Sequence, residues 1–294
     1  MRQLSVLALA LCLAVPALAQ RQLTTPRVSP HARVMQTIGM TEITVAYHRP
    51  AVSGRAVWGE LVPYGEVWRA GANENTTFET STEVQIEGAA LPAGRYGLHT
   101  IPGEREWTII FSSMADAWGS YFYDASEDVL RVTVTPSEAS MQERLSYSFH
   151  APDLTSTTLV LHWDQLAVPI RITANTPALV LANMEQELHG TAGFFPEGWD
   201  QIATYALDHN LRTEDALAWV ERSIERSPMF SNQMTKARAL DALGQADEAH
   251  ALRLAALAVA AESDVDAYVQ ARRRAGQTEE AARVQDLFES QDNG

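Results

Sequence analysis

Cysteine is all but missing from this 294-residue chain, and the one present, Cys12, lies in an N-terminal apolar run. Downstream of that run there is no thiol for a disulfide, a thiolate nucleophile, an iron–sulfur cluster or a cysteine zinc site. Lysine is nearly absent too. Lys236 is the single lysine among 22 basic residues, against 37 acidic ones, and the formal net charge is −15. That balance argues against a general nucleic-acid binder and against a peripheral protein of anionic membranes, both of which need a basic surface. Past residue 19 no stretch reaches 18 apolar residues, so no membrane-spanning helix is expected there. A Gly-x-Ser-x-Gly elbow and a phosphate loop are missing as well. No motif implies a cofactor, and none is expected.

What is present begins with an address label. Met1-Arg2-Gln3 is a short basic start, residues 4–15 are apolar, and Ala17-Leu18-Ala19 places small residues at −3 and −1 of a cleavage before Gln20. This pattern predicts a signal peptide over residues 1–19, a leader over 20–28, and a periplasmic or secreted protein. Leu11 before Cys12 is too large for lipid attachment at that cysteine. The 46% apolar composition leaves enough side chains to build a core without disulfides.

The chain then changes character near residue 176. Before it the hydrophobic period is two. Ile43, Val45 and Tyr47 alternate with Thr44, Ala46 and His48, and Leu145, Tyr147 and Phe149 with Ser146 and Ser148. Eight or nine short strands separated by Pro- and Gly-containing turns predict an all-β antiparallel sandwich over residues 29–174. Pro169, lacking an N–H, predicts an edge or bulge in the last strand. Residues 175–294 are rich in Ala, Leu, Glu and Arg. Turn residues Asn210, Gly244 and Gly276 recur 34 and 32 positions apart, each leading through acidic residues to an alanine. That spacing resembles tetratricopeptide helix pairs, so helical hairpin repeats and a protein partner for them are expected. The chain is expected to be an α+β two-part protein.

Residues 49–75 show neither period, and loops of that length inside compact domains are commonly functional. Arg55 and Arg69 could each clamp a carboxylate or phosphate, Trp68 could form an apolar wall, and Asn73 with Glu74 could orient a ligand. A small anionic or sugar-like ligand is expected at this loop, with His99 as a nearby candidate. The competing account is a buried polar network that fixes the loop. Trp118, Tyr121 and Tyr123 form a second candidate surface, since aromatics beside carboxylates stack on sugar rings or clamp peptides. Histidines 31, 48, 99, 150 and 162 show no ligating pair spacing, so no metal site is expected.

Several blocks in order carry a family resemblance: Ser29-Pro30, Tyr47-His48-Arg49-Pro50, Gly54-Arg55, Leu61-Val62-Pro63-Tyr64-Gly65, Val67-Trp68-Arg69-Ala70-Gly71-Ala72-Asn73-Glu74, Leu91-Pro92-Ala93-Gly94 and Trp107-Thr108-Ile109-Ile110-Phe111. Residues 29–172 resemble the bacterial domain of unknown function family 2911. The resemblance implies an exported β-rich domain, often with a tetratricopeptide-like tail, and brings no reaction and no catalytic residue. Function therefore stays between an exported non-catalytic binding protein, an envelope hydrolase using Glu74 or an Asp with His99 as acid and base, and a structural envelope protein.

Overall fold

The structure is a computed structural model describing residues 25–292. The expected signal peptide and most of the leader lie outside the described residues. Ten strands come first: β1 His31–Ile38, β2 Thr41–His48, β3 Thr76–Thr80, β4 Val84–Ile86, β5 Ala89–Leu91, β6 Gly94–Ile101, β7 Trp107–Ser112, β8 Asp128–Val134, β9 Ser137–His150 and β10 Ser156–Thr173. They form two antiparallel sheets, a six-stranded one ordered β1-β2-β3-β6-β7-β8 and a four-stranded one ordered β5-β4-β10-β9. The alternating side chains explain why the sheets close on each other. Ile43, Val45 and Tyr47 of β2, Phe78 of β3, Leu98 of β6, Ile109 and Phe111 of β7, and Leu159, Leu161 and Trp163 of β10 all join one buried cluster.

Four indoles sit together in that core. Trp58 packs edge-on to Trp107 at 4.9 Å and to Trp163 at 5.7 Å, while Trp68 stacks on Trp163 at 5.8 Å. The last strand, β10, runs for 18 residues. Its register against β9 shifts around Asp164, whose φ is +56°, and a bulge absorbs the shift without ending the strand. Pro169 lies between the ladder to β9, which ends at Ala167, and the ladder to β4, which begins at Ile172, so its missing N–H breaks no ladder bond.

Seven helices follow: α1 Thr176–Glu187, α2 Pro196–Asp208, α3 Thr213–Arg226, α4 Phe230–Ala242, α5 Ala246–Leu257, α6 Glu262–Arg274 and α7 Thr278–Asp292. Asn210, Gly244 and Gly276, the residues of the 34/32 spacing, all take the left-handed conformation just after α2, α4 and α6. Each stops one helix and lets the next fold back, giving three helical hairpins in series. Their cores are small and alanine-rich. Ile202, Ala203, Ala206, Ala216 and Val220 close α2 on α3, and Met234, Ala256, Val265, Val269, Ala281 and Val284 close the last four helices.

Candidate functional site

The face of the six-stranded sheet turned away from the core is not left bare. On β2 the residues between the core positions are Thr44, Ala46 and His48, and the strand register carries the same face across the sheet: His31 opposite His48, Thr77 opposite Ala46, Gly97 opposite Thr77. His31 and His48 meet edge to face at 5.1 Å. The segment after β7, residues 113–127, folds back over this face. Gly97 makes that approach possible, because a Cβ there would stand 2.6 Å from the Met114 carbonyl oxygen and near the side chains of His99 and Asn75. Asn75 ties the segment down: its backbone N–H donates to the Ala117 carbonyl at 3.1 Å and its side-chain amide to the Met114 carbonyl at 3.2 Å.

Residues 49–75 divide between two places. The first part belongs to the other sheet, with the Val52 N–H donating to the Glu143 carbonyl of β9. Arg55 spends its guanidinium on its own turn, donating to the Val52 and Ala51 carbonyls at 3.0 and 2.5 Å. Trp68 is part of the indole core, exchanges two backbone hydrogen bonds with Thr100, and donates its indole N–H to the Gly71 carbonyl. Past Trp68 the chain turns to the outer face. Ala70, at φ +51°, is held in that conformation by the Thr76 hydroxyl and the Tyr147 phenol, both donating to its carbonyl.

The outer-face groups enclose a cleft of about 930 Å³. One wall is the start of the domain, Pro26, Arg27 and Pro30; the floor is His31, Ala46, His48 and Thr77; the far wall is residues 115–118. Two ion pairs are built into it. Arg27 grips Glu74 with contacts of 2.7 and 2.5 Å, and Arg95 grips Asp116 with two at 2.8 Å. Glu74 also lies 3.5 Å from His48 Nε2. The Trp118 indole is 51% exposed, and the Arg27 guanidinium stands 5.8 Å from its ring centre.

Electrostatics follow from these contacts. The hydrogen bond from Arg27, together with its charge, holds the Glu74 carboxyl below its ordinary range. His48 is held below the usual imidazole value, chiefly by burial and against the pull of Glu74, so its ring is neutral at pH 7. The walls thus carry two cations, two anions and two histidines, with each arginine already answered by a carboxylate.

Beneath the covering segment lies a second polar group. His99 is 2% exposed, shares a hydrogen bond of 3.1 Å with the Ser120 hydroxyl, and packs against Tyr123 at 5.3 Å. Burial drives its pKa down to about 4. Tyr123 donates to Asp128 at 2.6 Å and accepts from Arg131 at 2.6 Å; burial first, then the bond to Asp128, pushes the phenol up to about 12. Arg69 is half-buried against Gly119, and its Nε has no hydrogen-bond partner among the described residues. Tyr121 is 81% exposed at the turn of the segment.

The structure therefore brings Glu74 and Trp118 to one cleft, with Asn73 beside it donating to the Ser29 carbonyl at 3.3 Å. It sets Arg69, His99, Tyr121 and Tyr123 around the covering segment, and places Arg55 and Trp68 elsewhere. Sequence reasoning passed over Arg27, His31, His48, Asn75, Arg95 and Asp116. One signal was available for the histidine pair: a hairpin turning at Gly39-Met40 puts residues 31 and 48 opposite each other. Among the described residues no three metal-ligating side chains come together. The fold and the cleft define a two-sheet sandwich domain with a lidded outer face, carried on a chain of helical hairpins. Residues 29–172 match the family described as protein of unknown function DUF2911, and the β domain belongs to that family. No curated protein and no solved structure matches the chain.

Proposed function

We propose that this is an exported, non-catalytic binding protein whose outer-face cleft takes a small, neutral, hydroxyl-rich ligand such as a sugar. The observation that carries the reading is the half-exposed Trp118 indole standing over a wall of paired donors and acceptors. An aromatic face stacks on the C–H surface of a sugar ring, while carboxylates, amides and guanidinium groups answer its hydroxyls. The anionic alternative is less well supplied, since Arg27 and Arg95 already hold Glu74 and Asp116. The helical hairpins, read as tetratricopeptide-like from their 34/32 spacing, would serve a protein partner. The envelope-hydrolase reading draws on Glu74 beside His48 in place of His99, but a carboxylate engaged twice by Arg27 is poorly placed to take a proton.

The test is a glycan array probed with the full chain and with Trp118→Ala, beside a calorimetric titration with citrate and phosphate. Retention of neutral glycans by the wild type, lost in the variant, is the expected result. Equal retention by both proteins, or saturable binding of the anions alone, overturns it.

A further inference from the structure

Far from the cleft in sequence, a cavity of about 640 Å³ opens between α2, α4 and α6. That size suits a small ligand or one or two side chains. Asp200 of α2 lines it, and its Oδ1 is buried with no hydrogen-bond partner. The Thr235 hydroxyl donates to the Ser231 carbonyl at 3.1 Å. Burial holds the Asp200 carboxyl above its usual value, against the opposing pull of the Thr235 and Ser231 hydroxyls and of the Arg272 and Arg238 charges. Both arginines make their ion pairs elsewhere, although Arg272 also lines the cavity and Arg238 Nη1 and Arg272 Nε are without a hydrogen-bond partner among the described residues. Arg238 pairs with Asp208, and Arg272 Nη1 meets the same Asp208 at 3.2 Å. Among the described residues no cation forms an ion pair with Asp200. Met229 and a partly exposed Phe230 form an apolar side of the cavity, Phe230 meeting Tyr268 edge-on at 5.8 Å. Asp264 of α6 adds a second carboxylate to the lining.

A desolvated carboxylate without a cation is a costly group to keep, and it is relieved by any cation that can reach it. An aromatic ring beside it attracts the same charge. We propose that this cavity binds an organic cation carrying an apolar substituent, the ammonium or guanidinium group against Asp200 and the apolar part against Met229 and Phe230. The same chemistry arrives as a free amine or as a basic side chain next to an apolar one in a peptide. The competing account makes Asp200 a fixed counterion: Arg238, Arg272 and Asp208 together carry one excess positive charge, which Asp200 balances at a distance.

The experiment is isothermal titration of the full chain with phenethylammonium chloride, with 2-phenylethanol as the neutral counterpart, and with the capped dipeptide acetyl-Phe-Lys-amide. Saturable binding of a cationic probe is expected, about tenfold or more tighter than the alcohol. Asp200→Asn, which keeps the shape, is expected to abolish it, and Phe230→Ala to weaken it several-fold, with circular dichroism melts showing both variants folded. Dipeptide tighter than amine assigns the source to a polypeptide, and the reverse assigns it to a free amine. Three results overturn the proposal: no heat from either cationic probe, binding of the alcohol as tight as the amine, or undiminished binding by Asp200→Asn. The amine-against-alcohol comparison on the wild type stands even if Asp200→Asn fails to fold. A fall in the Asp200→Asn melting temperature together with absent binding in the wild type establishes the counterion role instead.

Discussion

The β domain and the helical region bury different things. In the sandwich the interior is apolar and aromatic, built on Trp58, Trp68, Trp107 and Trp163, and its Arg27–Glu74 and Arg95–Asp116 pairs are displaced to the outer face. In the helices the apolar clusters are small, and charge is taken inside. Arg253 is 2% exposed, bonded to Asp241 at 2.7 Å and to Glu280 at 3.2 Å, and Asp208 of α2 joins Arg238 of α4 and Arg272 of α6. Broad sheets can bury enough area to hold together by burial alone, and what polar chemistry they have is free to form a site. The short alanine-rich helices bury smaller apolar clusters, and ion pairs join successive hairpins beside them.

The sharpest way to break this contrast is at the indole cluster. Trp163→Ala removes a fully buried ring touching Trp58 and Trp68, and should destabilise the sandwich by about 4 kcal/mol while leaving the helical circular dichroism signal in place. Concerted loss of both signals would show that the two regions fold as one unit. The counterpart in the helices is Arg253→Ala, which removes a buried guanidinium from the partly buried Asp241 and Glu280 carboxylates and should cost about 3 kcal/mol in denaturant unfolding. The figure sits at the low end of its range because Arg283 still reaches Asp241 at 2.7 Å. Arg253→Met, filling the space without charge but leaving the same acids, should lose nearly as much; if it is neutral, the ion pairs are not what orders the hairpins.

A smaller effect comes from His99. Its folded-state pKa of about 4 lies below the ordinary value of 6.5. As the pH falls through 6.5 the unfolded chain takes a proton that the fold refuses, so stability present at neutral pH declines until about pH 4. The whole shift corresponds to about 3 kcal/mol as an upper bound. Melts of the wild type and of His99→Gln between pH 7 and 4.5 should show a shallower decline in the variant, and parallel slopes would discard the assignment. The smallest stability effect belongs to Arg27→Ala. Its exposed ion pair adds no measurable stability, and the melting temperature should not move, yet ligand affinity at Trp118 should change because the guanidinium no longer stands over the ring.

Much of the fold was legible because burial leaves a period in the sequence. The alternation through residues 43–48 and the turn residues at 210, 244 and 276 stand where the sheets and hairpins require them. β3 was not, since Thr76-Thr77-Phe78-Glu79-Thr80 is buried at every position but Glu79, Thr77 included on the outer face, and only Phe78 is apolar, so no apolar alternation marks it. The candidate site was legible in fragments. Glu74 and Trp118 were singled out on separate surfaces 44 positions apart, and only the folding of residues 113–127 over the sheet makes them neighbours. Arg55 went elsewhere because a guanidinium near a turn finds backbone carbonyls first, while Arg69 stays beside the covering segment against Gly119.

The wall made by Pro26 and Arg27 has a practical consequence for anyone handling this protein. The polypeptide that enters the sandwich passes beside the Trp118 ring, so an affinity tag or fluorescent fusion joined just ahead of residue 25 would hang over the cleft and compete for it. A fusion after α7, which contributes nothing to that wall, leaves the opening free. Two preparations differing only in which end carries the label would then report different affinities for the same ligand.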